Sequence, residues 1–256
     1  MIKLAEIRAS SALRELLGAP SLRPAATRLH TGLDACHTRL AAFERIVVGL
    51  HTPTRNWMAV LSGDGLAEKS MATCLHRAVA QLVVGPGETS REAVRSWPID
   101  RDHLALVSVG WAEAVERRLR GEGAAALETN LADARTQANP RLPIWYVADA
   151  RSARDSLSSH LPSPLPRTIA GTMHFDENVH VSLYATFADH ASAELAYRRF
   201  MSARSDGAGI EPVAALLARD VNVRADEDMV GIAGHVRPGE LVTALGDTGP
   251  SESSSN

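Results

Sequence analysis

Apolar residues along this chain recur with two periods, one near 3.6 and one of 2, in short alternating blocks. Helical spacing appears at Ser10–Leu17 and again over about Pro24–Phe43, where Leu29, Leu33, Cys36, Leu40 and Phe43 share a stripe. Strands are predicted at Arg45–His51 and Trp57–Ser62, joined by the polar, proline-bearing segment TPTRN. Gly63-Asp64-Gly65 breaks the chain before a helix over Ala67–Leu82. After a loop-like GPGETSREAV, the pattern gives strands at Arg95–Ile99 and Leu104–Val109, then helices at Trp111–Leu119 and Ala124–Gln137.

Pro140 and Pro143 in Ala138–Pro143 exclude a continuous helix and mark a joint. Beyond it come a strand at Ile144–Val147, a helix at Ala153–Leu161 and a second joint at Leu161–Pro166. Strands at Thr168–Phe175 and Val179–Thr186 precede helices at Ala191–Ser205 and Glu211–Leu217. Strands at Val221–Ala225 and Met229–Ala233 follow, with a last helix at Pro238–Leu245, where a first-turn proline is tolerated. The polar residues 247–256 are expected to be a disordered tail.

This succession repeats. MIKLAEIRAS from Met1 matches IWYVADARSA from Ile144, IVVGLH from Ile46 matches IAGTMH from Ile169, and DHLALVSVG from Asp102 matches EDMVGIAGH from Glu227. The expected fold class is therefore α+β, a tandem duplication of a β-α-β-β-α-β-β-α unit with mainly antiparallel sheets covered by helices. The halves are 1–138, with an extra helix near 24–43, and 143–246. On this reading Met1–Ala5 is a strand cut short, and an export segment upstream of it is expected to be missing.

The hairpin TIAGTMHFDENVHVSLYATF permits a register argument. Ile169, Gly171, Met173 and Phe175 share one face of its first strand; Val179, Val181, Leu183 and Ala185 share one face of its second. A two-residue turn puts these apolar rows on opposite faces, whereas a three-residue loop, Asp176-Glu177-Asn178, joins them by setting Phe175 opposite Val179. Burial selects the second, because a slip of one residue reverses every side chain. Asn178 can take the left-handed conformation such a loop often requires. His174 and His180 then become cross-strand neighbours on the polar face.

That pair is the candidate chemistry: two imidazoles for a transition metal, with Asp176 or Glu177 as a third ligand. The alternative is a pair of exposed histidines with no ion. His51 holds the matching place in the first half without a partner across its hairpin. Cys36 and Cys74 read either as buried free thiols or as one disulfide, and their spacing suits neither a CxxC redox motif nor a four-ligand zinc site. GxSxG, HExxH and GxxxxGK[ST] do not occur. Ser62 before Gly63-Asp64-Gly65 reads as a turn, Gly85-Pro86-Gly87 lacks the lysine of a phosphate loop, and Arg117, Arg118 and Arg120 form a solvated helix end. Trp57, Trp97, Trp111 and Trp145 suit core or interface roles.

Composition narrows the field further. A net charge of −3 argues against a general nucleic-acid binder, and 4% aromatic residues leave few stacking platforms. No run approaches the roughly 20 apolar residues of a membrane span.

The succession RASSALRELL, ERIVVG, MATCLHRAV, LALVSVG, WAEAVERRL and PIWYVAD resembles predicted lipoproteins and exported proteins of myxobacteria and their relatives, a family without an assigned function. The resemblance covers most of the chain and rests on strand and helix cores. It implies an envelope or periplasmic setting and a Cys36–Cys74 disulfide; without an upstream signal the chain is expected in the cytoplasm. It implies no catalytic residues and no cofactor. Two functions are expected. The first is a non-catalytic binding or scaffold module that takes a protein or small ligand; the alternative is a metal protein or enzyme centred on His174 and His180.

Overall fold

The computed structural model describes residues 1–4, 10–17, 19–20, 23–51, 54, 56–83, 93–123, 128, 131–150, 164–206 and 221–247. In chain order these form β1 (Ile2–Lys3), α1 (Ser11–Leu17), α2 (Arg23–Ala35), β2 (Arg45–His51), β3 (Asn56–Ser62), α3 (Lys69–Val83), β4 (Val94–Pro98), β5 (His103–Ser108) and α4 (Ala112–Leu119). Then come α5 (Ala132–Gln137), β6 (Ile144–Asp149), β7 (Thr168–Phe175), β8 (Val179–Thr186), α6 (His190–Asp206), β9 (Val221–Asp226), β10 (Met229–Val236) and α7 (Pro238–Asp247). The chain is thus a mixed α+β protein with antiparallel strand pairing. None of its described helices is long and apolar enough to cross a membrane.

Two compact units emerge, and they do not follow the sequence in a single cut. The first contains Met1–Ala9 and Ala25–Asn130; the second contains Ser10–Pro24 and Leu131–Asn256. Both α1 and α5 therefore belong with the second unit, although the expected boundary at 138 assigned them to the first. The reason for α1 is visible in its stripe: Ala12 and Leu16 are buried with Met173, Phe175, Val179 and Val181 and with Leu241 and Val242 of α7. A seven-residue helix has no stability of its own, so its apolar face decides where it sits.

The strands of the first unit run β1-β2-β3-β5-β4. On one face Ala105 and Val107 pack with Val115 of α4 and with Met58, Val60, Trp97 and Trp111. α3 lies against β4, where His76 Nδ1 and Ser96 Oγ are 3.2 Å apart. α2 meets α3 closely: a side chain at Gly32 would begin 3.3 Å from the Ala78 methyl. The two helices are tied by a Cys36–Cys74 disulfide with Cα atoms 5.5 Å apart.

α2 stops at Ala35, not at Phe43. His37 takes a left-handed φ of 51°, its N–H donates to Asp34 O at 2.9 Å, and the Thr38 N–H donates to Leu33 O at 3.1 Å. This is a Schellman closure, which exhausts the last carbonyls of the helix. Leu40–Ala42 then form a separate 3-10 turn, which still delivers Phe43 to the core.

The second unit runs β6-β7-β8-β10-β9. α1 and α7 cover one end of its apolar face, while Ala193 and Ala196 of α6 cover the other with Phe187, Val230, Ala185 and Val223. The opposite face is not uniformly polar, as the alternation implied. Ala170 packs there with Ala134, Ala138, Trp145 and Val147, and Thr168 and Thr172 are buried beside it.

The expected helices at Ala153–Leu161 and Glu211–Leu217, the Gly85–Gly87 loop, the first part of Ala124–Gln137 and the tail from 248 onward lie outside the described residues. The pairings also correct two of the three internal matches. If Ile46 is set equal to Ile169, the ladders equate Leu104 with Val230 and Ile2 with Ala148. The sequence matches had equated Leu104 with Met229 and Ile2 with Trp145. A one-residue offset reverses the face of every side chain, so those local likenesses carry no weight.

Candidate functional site

The β7–β8 hairpin adopts the register that burial selects: Phe175 faces Val179 and His174 faces His180. The loop closes differently from the expectation for Asn178. Among the described non-glycine residues only His37 and Glu227 have positive φ, so Asn178 is not left-handed. The Asp176 carboxylate holds the turn instead, accepting the Asn178 N–H at 2.7 Å, while the Asp176 N–H donates to Asn178 O at 3.1 Å. From the residue before α1, the Ser10 hydroxyl donates to the Asp176 carbonyl at 3.5 Å.

The same carboxylate reaches the histidines. His180 Nε2 lies 3.0 and 2.9 Å from the two Asp176 oxygens. The His174 and His180 rings stack with centroids 4.3 Å apart and planes within 7°. The hydrogen bond from the Asn178 N–H is the main cause that holds the Asp176 carboxyl below its ordinary range; desolvation opposes it, and the bond from His180 and the charges of His180 and His174 add to the lowering. One ligand atom from each of His174, Asp176 and His180 lies within 4.8 Å of the other two. The side chains are half open, 34% exposed for His180 and 56% for Asp176, so an ion can enter. Glu177, the other acidic residue considered, is exposed and outside this cluster.

A third histidine joins the row. β10 continues past Ala233 to Val236, which sets His235 directly opposite His180 on the next strand. The two rings are 5.8 Å apart and tilted by 35°. The alternation predicts a strand only to Ala233, which leaves His235 outside it. Its alternation signal fades through Gly231 and Gly234, which offer no side chain to mark a face.

This rung is open because α7, starting at Pro238, turns to the other face and packs Leu241 and Val242 against α1. The first unit differs. Its matching rung holds His51 opposite Asn56, and Trp111 lies over it with ring centroids 6.2 Å apart. His51 Nδ1 sits 2.7 Å from Thr54 Oγ1. No imidazole pair forms there.

The other candidates take structural roles. Cys36 and Cys74 are bonded to each other and are not ligands. Ser62 ends β3 before a tight turn, in which the Gly63 N–H donates to Asp102 O at 3.0 Å and an added methyl at Gly63 would collide with the Ala42 carbonyl oxygen. Arg118 Nη1 donates to Glu122 O at 3.0 Å, and Arg120 pairs with Glu116 and Glu122 at 3.6 and 2.8 Å, all on exposed surface. Trp97 and Trp111 pack under α4, and Trp145 packs near α5. No family model, curated protein or solved structure matches the chain.

Proposed function

We propose that this protein is a non-catalytic binding module whose ligand, at the β7–β8 hairpin, is a divalent transition-metal ion held by His174, Asp176 and His180. The observation that carries this is the convergence of the three ligand atoms within 4.8 Å. An edge of 2.9–3.0 Å between His180 Nε2 and the Asp176 oxygens suits two ligands on one ion with metal–ligand distances of about 2.0–2.2 Å. Imidazole and carboxylate together favour zinc, copper or nickel over magnesium or calcium, which prefer all-oxygen sites. The test is metal content and isothermal titration on protein purified without a histidine tag. About one equivalent of Zn2+ or Cu2+, lost in His174→Ala and in His180→Ala, is expected; a wild-type protein that binds neither ion would overturn the reading.

A protein-binding scaffold is the second reading, and one observation favours it. Val48 and Leu50, adjacent on one face of β2, are 46% and 71% exposed. A photo-crosslinker at position 50 that yields one discrete adduct in the native cell, lost with Val48→Asp, supports it. A diffuse smear of products counts against it.

The tandem duplication belongs to the same proposal. It is supported by the matching strand orders, β1-β2-β3-β5-β4 and β6-β7-β8-β10-β9, and by a helix between the third and fourth strands of each set. The disulfide supports an oxidising compartment such as the bacterial envelope, where such bonds persist. This agrees with the resemblance to exported myxobacterial proteins.

A further inference from the structure

His235 was not part of the metal cluster just described, yet it occupies the same rung of the same face. The register runs His174 to His180 to His235 across three neighbouring strands, with no offset at either step. Strand spacing of about 4.8 Å places the outer two histidines about 10 Å apart, with His180 midway between them. His235 is exposed, so its ring can turn without breaking a packed core. The described β10–β9 ladder ends at Gly234 opposite Val221, one residue before His235.

We propose that His235 is the fourth protein ligand of the ion, completing a three-imidazole, one-carboxylate set with His174, His180 and Asp176. The proposal rests on the metal-binding reading and deepens it. In the arrangement described here the His180 ring stacks on His174 at 4.3 Å and stands 5.8 Å from His235. A rotation of the His235 side chain about its χ angles brings its ring nitrogen toward the point that the other three ligands share. No backbone movement is required, because all three β-carbons already project from one face of one paired sheet. A four-ligand set built from nitrogen and oxygen fits a tetrahedral ion, so Zn2+ and Co2+ are the preferred occupants. Four protein ligands leave no position for a substrate or activated water, which agrees with a module that binds without catalysing.

Cobalt reports coordination number directly, because tetrahedral Co2+ absorbs visible light far more strongly than the six-coordinate ion. Tag-free wild type, His235→Ala and His174→Ala are titrated with Co2+ and followed by absorbance; Zn2+ affinity is measured by competition with a chromophoric chelator. Wild type is expected to give the intense tetrahedral bands. His235→Ala is expected to lose them and to bind Zn2+ at least about tenfold more weakly, the scale on which removing even an outer-shell partner weakens a site. If His235→Ala keeps the wild-type spectrum and affinity while His174→Ala loses binding, His235 is no ligand and the three-residue site stands alone. If the wild type binds neither ion, both readings fall. Circular dichroism of each variant guards against misfolding, and an exposed position at the strand end makes a fold defect in His235→Ala separable from ligand loss.

Discussion

Replacing Cys36 and Cys74 together by serine removes the one covalent cross-link in the first unit and tests how much that link stabilises it. The bonded cysteines are 38 residues apart, and the loop between them carries the whole β2–β3 hairpin. Closing a loop of that length withholds about 13 cal/mol/K from the denatured chain, or about 4 kcal/mol at 25 °C. With a urea dependence of about 1.5 kcal/mol/M for a unit of this size, the midpoint is expected to fall by about 2.5 M. Trp57, Trp97 and Trp111 all lie in this unit and report its unfolding by fluorescence. Reduction of the wild type under the same conditions should reproduce the shift, and a thiol count in denaturant should return two groups only after reduction. A double variant whose midpoint stays within about 0.5 M of wild type, with the m-value unchanged, would refute the reasoning. It would mean that the link does not constrain the denatured chain.

His37→Gly removes a left-handed non-glycine residue at the α2 closure and is expected to stabilise the first unit by about 1 kcal/mol, raising Tm by a few degrees in a thermal melt. Leu104→Ala opens a cavity at a fully buried site in β5 and should cost about 2–5 kcal/mol in urea titrations. Asp176 has its folded-state pKa depressed below 3.8, so its contribution is fully present above that value and is lost as pH falls through the lower folded one. The stability difference between wild type and Asp176→Asn should therefore shrink as pH falls below about 4; a difference that grows on acidification below that point contradicts the sign. Metal binding should weaken on acidification, since a proton competes with the ion for each nitrogen ligand, and calorimetry at pH 7.5 and 5.5 tests this.

Much of this protein was legible from local pattern, and the failures have specific causes. The β7–β8 hairpin could be drawn to the residue because two apolar rows had to share a face, and only one loop length permits that. The end of α2 could not, because its closing residue is His37 where a glycine would have announced the stop. α1 carried a readable amphipathic stripe, but nothing local said that its partner is Val179 in a hairpin more than 150 residues away. The internal matches illustrate the same limit: strand order repeats, while residue likeness drifts out of register by one and by three positions.

The site divides along that line. Sequence alone determined that His174 and His180 stand side by side, because antiparallel pairing and burial leave one register and a period of two assigns the face. Tertiary structure decided the rest. The Asp176 side chain turns back onto His180 because loop geometry lets one carboxylate serve both the Asn178 N–H and the imidazole. His235 arrives from β10 because β8 pairs with a strand roughly 50 residues further along. The rung stays open because α7 packs on the opposite face. The last two depend on which surfaces bury each other across long stretches of chain, and no periodicity within a single element encodes that choice.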